Sequence, residues 1–417
     1  MLFMPATPDT TPSARLTDHL DLGVLAACYP RDVIEDVLAD TGTGEQRRRS
    51  LPAHVMVRHT IAWGLDATQG TDAVMRQLAG SLQLLGSWQG QWKTPTTSAI
   101  AQARARLGPQ PLAELFHRTC TPMADATTPG AFFKTWRLMS MDGTTLDVAD
   151  TAANTDHFTH SGNHRNRSAF PQLRMVTLSE TGTRAIVGAT MGPFSTGERT
   201  LADELGPLCE EGMLVLADAG FYSWKMWTNY SCAGAELAWR VGSQLELPMV
   251  RPLDDGSYLA MLFSPRVKSR KAKDALLAQA RTGQDLDPER ALVVRAVDYT
   301  VPDANPEGEL ITLITTITDP TQISAQELAA LYGRRWEHET VLSEVKTRLL
   351  GAGTVIASQS PPMVIAQVWG VLLAHYAVRE LMHRSAEHLG LAPDRLGFTH
   401  TVRIVRRTTS GGTAFSP

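Results

Sequence analysis

The stretch LYGRRWEHETVLSEVKTRLL, residues 331–350, is crowded with ionisable side chains whose spacing could do chemistry. At about 100° per residue, Tyr332, Arg335, Glu339 and Lys346 fall within an arc of roughly 60° on one helix face. Glu337 and Glu344 point well away from Glu339, while Leu331, Leu342, Val345 and Leu349 line a neighbouring apolar side that would bury the helix. Glu339 is therefore expected to be the carboxylate aimed inward. A solvated face with an Arg335–Glu339 pair worth about 0.3 kcal/mol is one reading of the row. The other is a carboxylate that holds metal, with cations and a phenol gripping phosphate oxygens.

The second reading requires partner carboxylates held rigidly, because hard divalent cations need oxygen ligands at fixed separation. Asp142 is expected to end a strand in WRLMSMDG, and Asp218 another in MLVLADAG, each with a glycine close behind that lets the backbone turn past the site. Asp147 and Asp150 are weaker choices. A strand-end Asp can simply cap a turn. Combined with an inward Glu, the pair could instead hold two divalent ions about 3.5–4 Å apart, which would activate water or a 3′-hydroxyl and stabilise the leaving oxygen of a phosphodiester. Cutting and rejoining DNA strands is chemistry of this kind.

Those side chains need elements to position them. The first ~130 residues read as helices with polar breaks, including PAHVMVRHTIAWGLDAT and the Thr-capped TPTTSAIAQARARLG. From Trp136 short β-type runs take over: three strands, the helix ERTLADELGPLCEEG and a fourth strand, followed by AELAWRVG, SYLAMLFS, ALVVRAVDYTV and LITLITTITD. Two helical stretches, SAQELAALYGRRWEHETVLSEVKTRLLG and PPMVIAQVWGVLLAHYAVRELMHRSAEHLG, close the chain. With 417 residues, 43% hydrophobic and 20% charged, the composition is that of an ordinary globular protein of two or three structural units. No run of ~18 apolar residues predicts a membrane span, and the N-terminus lacks a secretory pattern, so a cytoplasmic location is expected. Cys28, Cys120, Cys209 and Cys232 form no CxxC pair, which speaks against zinc or disulfide frameworks. No P-loop or GxSxG elbow appears, which removes support for ATP-driven action and acyl-enzyme hydrolysis.

With these residues assembled, the chain resembles the insertion element four family of DDE transposases. Tyr332, Arg335, Glu339 and Lys346 match that family's Tyr-x2-Arg-x3-Glu-x6-Lys signature at every position, MSMDGTTLDVADT looks like its first aspartate block, and LVLADAGFYS looks like its second. The resemblance implies an α/β fold with an RNase H-like core, a mixed sheet flanked by helices, a β-rich insertion and an all-α N-terminal domain. On that basis 1–130 is the helical DNA-end-binding domain, 131–228 the first part of the core, 229–322 the insertion and 323–417 the C-terminal helices of the core. It further implies a transposase of an insertion sequence that cleaves at the element's ends and transfers strands into target DNA. Two Mg2+ ions, with Mn2+ as a possible substitute, would be held by Asp142, Asp218 and Glu339. Tyr332, Arg335 and Lys346 become contacts to the DNA backbone. Partners would be double-stranded DNA, at terminal inverted repeats and target, and a second copy in a homodimeric paired-end complex on the nucleoid. Some relatives hold a flipped base with an insertion aromatic, which makes Trp239 a candidate stacking platform beside its alternative as a core residue. Relatives continue past VRIVRRTTSGGTAFSP into a basic tail, whereas this chain stops at Pro417.

Further basic residues could grip DNA. Arg104, in the helix after Thr97, could read a major groove or pack as a surface arginine. RVKSRKAKD offers Arg266, Lys268, Arg270, Lys271 and Lys273 as a backbone-binding patch, and Arg47-Arg48-Arg49 could touch phosphates. His157, His160 and His164 sit in a polar stretch expected to be a loop. Two competing functions remain at this level: a non-catalytic DNA-binding repressor, and a nuclease that only hydrolyses.

Overall fold

Among the described residues six helices come first: α1 (Val24–Cys28), α2 (Arg31–Asp40), α3 (Ala53–Leu65), α4 (Thr71–Leu84), α5 (Thr97–Leu107) and α6 (Gln110–Thr119). The computed structural model describes residues 24–44, 51–84, 95–162, 166–301 and 309–410. Arg47-Arg48-Arg49, His164 and the last seven residues of the chain, including Pro417, lie outside these. Local chemistry sets the helix limits. Thr96 Oγ1 accepts the Ala99 N–H at 3.2 Å to start α5, and Gly108, with φ 67°, lets the chain leave it.

The remaining elements follow as β1 (Phe132–Phe133), β2 (Trp136–Asp147), α7 (Ala152–Phe158), β3 (Gln172–Glu180), β4 (Ala185–Pro193), α8 (Glu198–Asp203), β5 (Met213–Ala217), α9 (Trp224–Cys232) and β6 (Glu236–Val241). After them come β7 (Met249–Pro252), β8 (Tyr258–Phe263), α10 (Arg270–Arg281), β9 (Ala291–Val301), β10 (Glu309–Thr315), α11 (Ala325–Tyr332), α12 (Trp336–Ser343), α13 (Pro361–Leu389) and α14 (Phe398–Ser410). The strands form one sheet in the order β4-β3-β2-β5-β6-β10-β9-β8-β7, with β1 paired to β2. β5 runs parallel to both β2 and β6, and the other pairings are antiparallel. This is the mixed α/β arrangement expected for an RNase H-like core with a helical N-terminal region.

The division expected at 228/229 lies within α9, and β6 runs parallel to β5. The sequence AELAWRVG reads like any other insertion strand because a buried strand shows no sign of its neighbour's direction. His157 lies on α7, whose N-terminus Thr151 caps at 3.2 Å, rather than in a loop.

The helical N-terminal region shares a hydrophobic cluster with the sheet and α13. Gly64 of α3 faces Gly370 of α13, and a Cβ built on Gly64 would come within 2.4 Å of the Gly370 carbonyl oxygen. Only two glycines allow backbones to pass this closely. α13 is long and apolar enough to cross a membrane by length and composition, yet 78% of its apolar window is buried inside the fold.

His59, on α3, has no solvent exposure and places Nε2 2.8 Å from the Thr71 carbonyl oxygen. Burial pushes its pKa down from 6.5 to about 4, the Thr71 carbonyl opposing and Arg104 reinforcing the shift. The unfolded chain therefore takes up the proton first. Stability from this group is complete above pH 6.5 and is lost as pH falls towards 4, amounting to about 2 kcal/mol by pH 5. Denaturant unfolding at pH 7.5 and pH 5 should show a lower midpoint in acid, and a His59→Gln variant should lose part of that difference. Identical acid sensitivity in both proteins would refute the assignment.

Candidate active site

The parallel pairing of β2 and β5 runs from Arg137↔Met213 to Ser140↔Leu216. β5 stops at Ala217, and the next residue is Asp218. Carrying the register two residues further aligns Asp142 with Asp218, on adjacent strands that lie about 4.8 Å apart. Asp142 does not end its strand as expected. β2 continues to Asp147 because β3 stays paired on its other side, with Asp142 opposite Thr177. The parallel partner ends there instead, which opens the sheet edge at Asp142. Asp147 and Asp150 are engaged locally, accepting from Gln172 and Thr155 at 2.8 Å each.

The helical segment carrying Glu339 is irregular. α11 starts at a capping box in which Ser324 accepts from the Glu327 N–H and Glu327 accepts from the Ser324 N–H. A 3-10 turn, Gly333–Arg335, follows; α12 comes next; then a π-helical stretch spans Glu344–Leu349. Uniform rotation therefore fails at both ends, and the picture of Glu339 as the inward carboxylate needs correcting. Glu339 keeps 47% of its side chain exposed, with Oε1 3.5 Å from the Arg335 guanidinium. Glu344 is the buried one, bonded to His375 Nε2 at 3.0 Å and to Arg379, both from α13. The four apolar positions behave as expected: Leu331, Leu342, Val345 and Leu349 are all buried.

Arg335 joins the two ends of the site. Its guanidinium lies 3.4 Å from Asp142 Oδ2 and 3.5 Å from Glu339 Oε1, so both acids face one small volume. Burial raises the Asp142 pKa; the Gly143 N–H, donating at 2.8 Å, and Arg335 oppose this, while Glu339 and Asp218 add to it by like-charge repulsion. Asp142 thus senses both other acids. Among the described residues no three His, Cys, Asp or Glu side chains already converge closely enough to hold a metal ion. The donor set nevertheless fits a hard divalent cation, since it consists of carboxylate oxygens and already accommodates a positive group between Asp142 and Glu339.

Tyr332 departs from its expected role as a DNA contact. Its side chain is buried, and its hydroxyl donates to the Ala217 carbonyl at 3.3 Å, tying α11 to the strand end before Asp218. Burial pushes the phenol pKa up, so it stays protonated. Arg335 is also buried and paired with carboxylates, whereas Lys346 is exposed, with Nζ donating to Thr144 Oγ1 at 3.0 Å.

Two expected DNA contacts are inaccessible. Trp239 is fully buried on β6, edge-on to Trp227 and Tyr230 at 5.4 and 5.5 Å, and cannot offer a face to a base. Arg104 is buried over the Trp63 ring at 4.4 Å and donates to Ser358 Oγ at 3.2 Å, leaving it unable to read a groove. By contrast, Arg266, Lys268, Arg270 and Lys271 are exposed beside or on α10, Arg266 lying 3.5 Å from Glu289, while Lys273 is less exposed and paired with Glu246 at 2.7 Å.

Several participants escaped sequence reasoning. Trp336 is 62% exposed beside Arg335, whose guanidinium carbon lies 5.4 Å from its ring. His338, on α12, is fully buried against β2 and β3, with Nδ1 3.0 Å from Ser140 Oγ and 2.8 Å from Ser179 Oγ and Nε2 2.8 Å from Thr177 Oγ1. It clamps the helix bearing Glu339 onto the strand bearing Asp142. A histidine in the midst of serine and threonine strand positions is a faint signal. Glu198, the first residue of α8, also lies against the site.

Comparisons with known proteins identify the family. The family described as "Insertion element 4 transposase N-terminal" matches residues 19–117, and "Transposase DDE domain" matches residues 137–376, more than half of the chain. The chain is 28% identical over 401 residues to "Transposase InsG for insertion sequence element IS4" of Escherichia coli strain K12, covering 95% of this chain and 83% of that one. It is 23% identical over 230 residues to "Putative transposase InsZ" of the same organism, covering 55% and 71%. Among solved structures, the piggyBac transposase synaptic complex with hairpin DNA shares 11% identity at a TM-score of 0.47, covering 93% of this chain and 79% of that chain.

Proposed function

The chain belongs to the insertion element 4 family of DDE transposases, and from that premise we propose that Asp142, Asp218 and Glu339 are its metal-holding triad. It is an insertion-sequence transposase, an enzyme that acts on DNA, from a family that works with divalent metal ions. The observation that carries the residue assignment is the Arg335 guanidinium lying 3.4 Å from Asp142 and 3.5 Å from Glu339, at the sheet edge where Asp218 follows β5.

Asp142, Asp218 and Glu339 would hold two Mg2+ ions, or Mn2+ in their place, which would supply Lewis-acid activation of the attacking oxygen and charge for the leaving oxygen. The protein's own residues do the positioning. Tyr332 and His338 hold the triad's backbone supports in register, and Arg335 balances charge between Asp142 and Glu339. Lys346, exposed beside Thr144, meets DNA phosphates, and the patch of Arg266, Lys268, Arg270 and Lys271 steadies the duplex further out. Trp336 offers the exposed aromatic face that Trp239 lacks. Water-directed cleavage at the element's ends frees 3′-hydroxyls, which then attack target DNA; joining conserves bond energy, so no nucleotide is consumed. The working form is a homodimer holding two ends, acting at the nucleoid.

The test uses a duplex carrying the element's ends. With Mg2+ the protein should cut at the ends and join them to a target, and EDTA should abolish both while leaving the duplex bound. Nicked products without joined ones would favour the hydrolytic nuclease, and binding without cutting would favour the repressor.

A further inference from the structure

Gly143 follows Asp142 on β2, and a Cβ built on it would lie 1.8 Å from Glu198 Oε1 and 2.7 Å from Glu198 Cδ. The carboxylate of Glu198 therefore occupies the space a side chain at 143 would fill. Any residue larger than glycine there would evict it.

Glu198 opens α8, directly after Gly197. Burial raises its pKa, and the nearby charges of Asp142 and Asp218 raise it further, with only Arg174 opposing. Arg174 is committed elsewhere: its Nη1 donates to the Thr196 carbonyl at 2.8 Å, and its guanidinium sits over the Phe194 ring at 4.4 Å. Arg335 is held between Asp142 and Glu339. Among the described residues no hydrogen bond or ion pair reaches the Glu198 carboxylate. Three half-buried acids thus lie within electrostatic reach of one another at this sheet edge without yet converging, and among the described residues no cation is paired with Glu198; like-charge repulsion opposes drawing them closer unless a positive ligand joins them.

We propose that Glu198 is a fourth carboxylate of the metal site, binding beside Asp142 and Asp218 either directly or through a metal-bound water. The inference rests on the proposed triad and extends it. It also explains Gly143 by a close approach, since no positive φ is required of it.

The test is titration of the metal-free, full-length protein with Mn2+ alone, followed by calorimetry, with no DNA present. Glu198→Gln, which keeps the shape and removes the charge, should weaken Mn2+ binding by about tenfold or more. Gly143→Ala should do the same by displacing the carboxylate, and Glu198→Asp should recover part of the loss. Thermal unfolding without metal should leave Glu198→Gln at least as stable as the parent, which separates ligation from a fold defect. If Asp142→Asn and Glu339→Gln lower Mn2+ affinity while Glu198→Gln and Gly143→Ala do not, the fourth-carboxylate inference is overturned and the triad stands. If none of the four changes Mn2+ affinity, the triad assignment itself falls.

Discussion

Replacing Glu339 with Gln should lower both end cleavage and strand transfer by a factor on the order of 10³ or more, with little effect on folding or DNA binding. The side chain is 47% exposed and, among the described residues, its only ion pair is the 3.5 Å contact to Arg335, so the isosteric amide removes charge without opening a cavity. Exposed substitutions of this kind usually shift stability within about 0.5 kcal/mol. What is lost is a hard anionic oxygen for a divalent cation. Rates measured on a duplex with the element's ends, beside thermal unfolding and a binding shift on the same duplex, separate these effects. Cleavage within a fewfold of the parent rate would mean that Glu339 is not in the triad.

The second large effect is on stability. Arg379 of α13 is almost wholly buried, donates through Nε to Glu344 Oε2 at 3.0 Å, makes a second bond to Glu344 Oε1, and lies 5.1 Å from the Phe398 ring centre. Burial alone would push the Glu344 pKa up, but the His375 hydrogen bond and the Arg379 charge outweigh it and hold the carboxyl below its ordinary value. Removing one partner leaves the other as an uncompensated buried charge, which costs about 3–5 kcal/mol. Arg379→Met should therefore lower the unfolding free energy by about that amount, whereas Arg379→Met combined with Glu344→Leu should recover most of it. Denaturant unfolding of the two single variants and the double variant completes the cycle. Additive losses would show that the pair is not coupled. Glu344 lies five residues from Glu339 on the same helical segment, so partial unpacking here should also slow cleavage.

These residues show how far the sequence could be read. The three acids of the proposed triad were legible as candidates because a metal site would demand hard oxygen donors on stiff elements, and apolar runs precede Asp142 and Asp218 in plain view. The Tyr332, Arg335, Glu339 and Lys346 row was legible as a pattern, but its directions were not, because a 3-10 turn and a π stretch break the uniform rotation on which any wheel depends. From its own helix alone Glu344 could be read only as pointing away from Glu339; its burial is decided by His375 and Arg379, some thirty residues onward. Trp239 and Arg104 illustrate the same gap. A tryptophan among strands and an arginine on a helix have the right chemistry for DNA, and only the neighbours Trp227, Tyr230, Trp63 and Ser358 disclose that both are core residues. Glu198 carried no signal beyond an acid near a helix start.

β10 lies antiparallel against β6, which makes the strands beyond Val241 a continuation of the sheet that bears Asp142 and Asp218. At the N-terminus of α11 Asp255 accepts the Ala325 N–H at 2.7 Å and pairs with the buried Arg295, bolting that continuation to the segment that leads to Glu339. The exposed cations around α10 and the acids at the sheet edge are therefore like the two jaws of a fixed caliper rather than clauses joined by a hinge. A duplex that bridged them, as proposed above, would meet a gauge set during folding, and the work of bending or unwinding to that gauge would fall on the nucleic acid.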